Sequence, residues 1–177
     1  QVYYDGERVA DVTSHRIFQR AIDVAAKGYD RFFDAAPGAI SSYLNTPTTV
    51  AEMREHAETH VDPLTSTSYS SLMTLLTSAV RIADIRPEGS EAIRNYVKQV
   101  QQQDLRVVEC ITDGKGDRGK RPGQQEDPDA YLRVVERRPD GVVIRGAKLH
   151  ISSAAIAHEL MTIPTKAMKP GEEDYAI

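Results

Sequence analysis

Apolar residues recur at helical spacing along roughly the first hundred positions, and beyond them the pattern turns to short β-branched runs. The opening "VYYDGERVAD" predicts a hairpin, with Asp5-Gly6 supplying the positive φ of a tight primed turn between Tyr3/Tyr4 and Val9. A helix follows from Ser14 as N-cap. Ile17, Ala21, Val24 and Ala25 share one face, Phe32 and Phe33 extend it, and Pro37-Gly38 ends it. Thr49 and Glu52, three positions apart, predict the capping box of a second helix. "SYSSLMTLLTSAVRIADI" carries apolar residues on several faces and reads as a third, more buried helix. "PEGSEAIRNYVKQVQQQD" gives a fourth, capped by Ser90, with Ile93, Val97 and Val100 on its inner stripe.

The period changes at Leu105. "LRVVECIT", "YLRVVERR", "GVVIRGAKLHI" and "ELMTIPT" predict strands separated by turn signals such as Pro139-Asp140-Gly141. Helices first and strands second make an α+β chain, not an alternating doubly wound sheet. A helical domain with a leading hairpin is expected over 1–104, and a β domain over 105–177.

Composition narrows the function classes. A net charge of −4 provides no basic surface to draw the chain to nucleic acid. No apolar run reaches the length of a membrane span, so no membrane partner is expected. Cys110 is the single cysteine, which rules out a disulfide within the chain and points to a reducing cytoplasm; on its apolar strand it reads as core. His56 and His60 stand at a metal-binding spacing, but with no HExxH pattern they read as an exposed helix face. His150 and His158 fall on adjacent strand segments and read as packed or hydrogen-bonded.

The segment "ECITDGKGDRGKRPGQQEDPD", residues 109–129, is the richest in chemistry. Gly114 to Lys120 spells GxxxxGK, yet Arg121 stands where a phosphate-hydrolase loop needs Ser or Thr, and Pro122-Gly123 stops the helix such a loop requires. Gly114, Gly116 and Gly119 let backbone N–H groups approach an anion or a flat ring edge, and Arg118, Lys120 and Arg121 could neutralise a diphosphate. A solvated surface hairpin is the competing reading of the same residues.

The joint occurrence of TDxKGDR, EDPDxYLRVVE and DGVVxRGAK across 112–148 resembles the flavin-dependent 4-hydroxyphenylacetate 3-hydroxylase family, above all its 4-hydroxybutyryl-CoA dehydratase branch. The resemblance is close over 105–177 and fainter over the hairpin and helices. It implies an acyl-CoA dehydrogenase-like fold, in which an N-terminal helical domain leads into a central β domain and a C-terminal helical bundle. The chain would then be an N-terminal fragment lacking that bundle, completed by a C-terminal portion or a second chain, in a homotetramer.

The resemblance also implies FAD as cofactor, held by Ile111, Thr112, Asp113, Lys115, Gly116, Asp117 and Arg118. Ser152 would lie near the flavin ring, where threonine is usual. Two departures bear on the reaction. The cysteine pair that holds the dehydratase's iron–sulfur cluster has no counterpart in "STSYSSLMTLL". Thr67, Ser71 and Glu109 occupy the places of the hydroxylase branch's substrate-binding Arg, Tyr and His. The expected activity is a two-component monooxygenase in which a separate flavin reductase supplies reduced FAD and a small organic substrate is hydroxylated. Ser152, His150 and Glu109 are the candidate catalytic groups, and Thr67 and Ser71 the candidate substrate residues. The alternatives are a clusterless acyl-CoA dehydratase or isomerase, and a non-catalytic piece of a split flavoprotein.

Overall fold

The computed structural model describes residues 1–59, 66–114 and 116–177, which fold into two compact units. The first comprises Gln1–Val108 with Ser153–Glu159, the second Glu109–Ser152 with Leu160–Ile177. His60 and Lys115 lie outside the described residues.

In the first unit, strands β1 (Val2–Tyr4) and β2 (Glu7–Val9) pair antiparallel, Val2 against Val9, around a turn with positive φ at Asp5 and Gly6. Both central residues are left-handed, as the Asp-Gly pair predicts. Helix α1 (Arg16–Phe32) starts later than Ser14. The Ser14 hydroxyl donates to the Asp11 carbonyl (3.3 Å), and His15 occupies the cap position without a side-chain cap bond. The His15 ring instead packs between Tyr4 (5.3 Å) and Phe18 (5.1 Å). The helix ends before Pro37; it buries Ala25, Gly28 and Phe32, while Ile17, Val24 and Phe33, expected on the inner face, are exposed.

Helix α2 (Val50–Thr59) has the predicted capping box. Glu52 N–H donates to the Thr49 hydroxyl (3.2 Å) and Thr49 N–H donates back to the Glu52 carboxylate (3.2 Å). Helices α3 (Ser66–Ile82) and α4 (Pro87–Gln103) pack together, closing a core of Leu72, Ala79, Val97 and Val100. Pro87 opens α4 at its first turn, because its fixed φ is already helical and its missing N–H is one the helix leaves unpaired anyway. Ser90 is therefore a buried residue of that turn, not the cap. The helix closes at Asp104, in the left-handed conformation with φ 50°, whose carboxylate accepts the Ser41 and Tyr43 hydroxyls (both 2.9 Å).

Strand β3 (Val107–Cys110) pairs with β6 (Glu159–Thr162). In the second unit, β4 (Arg133–Arg138) and β5 (Gly141–Arg145) form an antiparallel hairpin with Val134 opposite Ile144 and a bulge between Val134 and Glu136. Neither His150 nor His158 lies in a strand. His150 has φ 58°, which a ladder cannot accommodate, and His158 precedes β6. Cys110 is buried, and burial pushes its thiol up, as suits a core residue. Among the described residues no helix is long and apolar enough to cross a membrane.

Candidate functional site

The loop that follows β3 is held by side chains, not by regular pairing. Asp113 forms an isolated antiparallel bridge with Lys148, and Leu149 N–H donates to the Thr112 carbonyl (2.8 Å). The Asp113 carboxylate and the Lys148 ammonium are each more than nine-tenths buried and meet at 2.5 Å. Lys148 also donates to the Ile163 carbonyl (2.8 Å) and the Ile111 carbonyl (3.1 Å), and the second Asp113 oxygen accepts from the Thr165 hydroxyl and Thr165 N–H. The Asp113 side chain is thus turned into the protein, which leaves only its main chain for any bound group.

Further along, Gln125 clamps the loop. Its Oε1 accepts Asp117 N–H (2.8 Å) and its Nε2 donates to the Asp117 carbonyl (2.8 Å). The glycines are used in the same internal packing. A Cβ on Gly114 would stand 2.3 Å from the Ala130 carbonyl oxygen, and one on Gly116 2.2 Å from Gln125 Oε1. The lack of a side chain at Gly114 is thus demanded by the main chain itself, whereas at Gly116 a Cβ would meet only the far end of the Gln125 side chain and Ala130 Cβ.

The three cations expected to face a diphosphate separate. Arg121 is committed to Glu172, its Nε donating to Oε1 at 3.1 Å, and that guanidinium holds the Glu172 carboxyl down at about 2. Lys120 lies 3.9 Å from Asp117 on the surface. Arg118 is exposed and engaged in no ion pair among the described residues. The partner of Arg121 lies 51 positions away in sequence, beyond any local reading of the loop.

Of the other predicted residues, Ile111, Thr112, Asp117, Ser152 and His150 are exposed, while Glu109 and Gly116 are half-buried. The Ser152 hydroxyl makes no hydrogen bond among the described residues and is available as a donor. In the first unit, Thr67 and Ser71 occupy successive turns of α3; Ser71 is fully buried and its hydroxyl donates to the Thr67 carbonyl (2.8 Å). His56 stacks on Tyr69, with ring centroids 3.8 Å apart. His158 Nδ1 accepts Arg106 N–H (2.8 Å), which places the ring proton on Nε2.

Sequence reasoning missed Lys148, Gln125, Thr165 and Glu172. Lys148 stands in plain view as the last residue of RGAK; Thr165 and Glu172 carry no local signal, since each acts on a segment about 50 positions away, and Gln125 acts within its own loop, eight positions from Asp117.

Residues 1–177 match the model of the family described as 4-hydroxyphenylacetate 3-hydroxylase, N terminal. The chain belongs to this family. It is 49% identical to the 4-hydroxybutyryl-CoA dehydratase/vinylacetyl-CoA-Δ-isomerase of Clostridium aminobutyricum over 82 residues, which are 46% of this chain and 17% of that one. It is 25% identical to the oxygenase component of 4-hydroxyphenylacetate 3-monooxygenase from Thermus thermophilus, over 99% of this chain and 40% of that one. In three dimensions it is similar to an oxygen-tolerant 4-hydroxybutyryl-CoA dehydratase from N. maritimus, with a TM-score of 0.83 at 24% identity over 99% of this chain and 39% of that one. It is also similar to an oxygenase component of 4-hydroxyphenylacetate 3-monooxygenase complexed with FAD and 4-hydroxyphenylacetate, with a TM-score of 0.72 at 24% identity over 99% of this chain and 40% of that one. The helices followed by strands are the N-terminal part of an acyl-CoA dehydrogenase-like fold. The chain spans about two fifths of the length of the relatives that it matches along its whole extent.

Proposed function

We propose that this chain is the flavin-binding N-terminal part of a two-component monooxygenase that hydroxylates a small organic substrate. The observation that carries the reading is that both curated relatives matching 99% of the chain are monooxygenase oxygenase components. The residues of the second unit fit a flavin dinucleotide on their own chemistry. They offer a pinned loop on which Ile111 and Thr112 are exposed, an Arg118 in no ion pair among the described residues for the diphosphate, and a Ser152 hydroxyl in no hydrogen bond among them for the ring. Bound FAD, supplied reduced by a separate reductase, would provide the oxygen-activating chemistry.

The chain's own groups would bind and orient. Ile111, Thr112, Asp113 and Gly116 would present main-chain atoms to the cofactor, while Asp117, whose N–H and carbonyl are taken by Gln125, would hold the turn of the loop. Glu109 and His150 are the groups we assign to proton transfer. Thr67 and Ser71 carry neither the charge nor the ring found at the matching places of the hydroxylase branch, so the substrate we propose is not 4-hydroxyphenylacetate itself. We place the working protein in the cytoplasm as a homotetramer completed by the remaining part of the fold.

The test is oxygen uptake by the full-length protein with FAD, a flavin reductase and a panel of phenols. Substrate-dependent uptake with a hydroxylated product is expected; no uptake with any member, despite bound FAD, counts against the reading. A second reading, an acyl-CoA dehydratase or isomerase, draws on the 49% identity over 82 residues. Anaerobic crotonyl-CoA formation from 4-hydroxybutyryl-CoA would select it.

A further inference from the structure

Lys148 sits where three separate segments converge in the second unit. Its ammonium carries three protons and meets three acceptors: Asp113 Oδ1 at 2.5 Å, the Ile163 carbonyl at 2.8 Å and the Ile111 carbonyl at 3.1 Å. Two of the three are main-chain oxygens, one at the start of the 111–118 loop and one just past β6. The Lys148 side chain is 8% exposed and that of Asp113 9%.

A buried ammonium is tolerated only when its charge is paired and its protons are all used. That condition fixes geometry: tetrahedral donors accept little displacement of the carbonyls they bind. The second Asp113 oxygen extends the arrangement to Thr165, and Leu149 N–H takes the Thr112 carbonyl between the two anchor points. Consecutive residues 111, 112 and 113 are therefore each tied down on their inner side, while Ile111 and Thr112 remain exposed on the other.

We infer that Lys148 is the positioning residue of the flavin loop, holding the main chain of Ile111–Asp113 preset so that its outer side meets the cofactor without ordering at the moment of binding. All three of its protons are taken by protein oxygens, so we assign Lys148 no contact with the cofactor. This rests on the flavin reading above. Preorganisation raises affinity by removing the entropy of ordering the loop from the binding step, so its loss is read in affinity and in loop dynamics together.

The experiment uses full-length protein bearing K148Q/D113N, a neutral pair of similar shape that leaves no unpaired buried charge, alongside K148M and K148R. Cooperative unfolding of K148Q/D113N checks that the fold persists. FAD affinity is measured by flavin fluorescence quenching, and amide exchange of residues 111–118 is followed in cofactor-free protein. Expected are an affinity at least tenfold weaker and loop exchange at least tenfold faster, with the β4–β5 hairpin unchanged. K148R keeps a cation for Asp113 but offers a flat fork in place of three tetrahedral donors; it should recover the melting temperature of K148M without recovering FAD affinity. Wild-type-like loop exchange and FAD affinity within twofold in K148Q/D113N would overturn the inference. Wild-type protein that binds no FAD, with loop exchange still accelerated in the variant, would remove the flavin reading and leave the clamp standing.

Discussion

The Ser68 hydroxyl stands in for a β-strand neighbour of Val107, donating to its carbonyl at 3.2 Å and accepting its N–H at 3.1 Å. Both residues are completely buried. A single side chain on α3 thereby satisfies a strand's main chain, which water cannot reach. Removing the hydroxyl strands two buried polar groups, each worth roughly 1–3 kcal/mol when unsatisfied. Ser68→Ala is expected to lower unfolding free energy by about 2–4 kcal/mol in a urea titration, and a loss below about 0.5 kcal/mol would contradict this account.

Arg106 presents the opposite case. Its main chain is fully paired: its N–H donates to His158 Nδ1, and its carbonyl accepts the N–H groups of His158 (3.0 Å) and Glu159 (3.1 Å). Its side chain is buried, and Nε, Nη1 and Nη2 find no hydrogen-bond partner among the described residues. Arginine cannot discharge by losing its proton. Arg106→Met keeps the length and removes the buried charge, and should raise stability by about 1–3 kcal/mol. Calorimetry reading a lower melting temperature for this variant would show that the cation is compensated.

Acid stability should depend on Glu172. Arg121 holds the folded carboxyl at about 2, below its ordinary 4.5. A depressed folded value favours the native state above the ordinary value, so this contribution is complete above about pH 4.5 and fades as pH falls toward 2. Glu172→Gln removes it at neutral pH and flattens the acid limb of the stability profile. Parallel profiles for wild type and variant between pH 2 and 5 would rule out this linkage.

Gly114 tests the loop by shape alone. A Cβ there meets the Ala130 carbonyl oxygen at 2.3 Å, whereas a Cβ on Gly123 meets only side-chain atoms at 3.7–3.8 Å. Gly114→Ala must displace main chain and is expected to weaken FAD binding tenfold or more; Gly123→Ala should bind within twofold of wild type. Equal affinities for the two variants would mean that the loop's path is irrelevant to the cofactor.

What was legible in the sequence was short in range. Asp5-Gly6 fixes its hairpin through two left-handed residues, Thr49 and Glu52 cap α2 across three positions, and the strands after Leu105 follow from β-branched runs between turns. Two local signals compete at the start of α4, where Pro87 sets the first turn and Ser90 lies inside the helix. The outward positions of Val24 and Phe33 show the same limit, because an apolar stripe does not say how much of itself will be covered.

The sequence by itself determined the order of helices and strands, the turns and the motif-bearing loop after Cys110, since each depends on backbone preferences spanning a few residues. Only the tertiary structure decided that Asp113 faces inward to Lys148, 35 positions away, and that Arg121 belongs to Glu172. Charges on a loop have no preferred partner until folding removes water from between them, and which pairs are then brought together is set by packing of distant segments rather than by the residues' own neighbours.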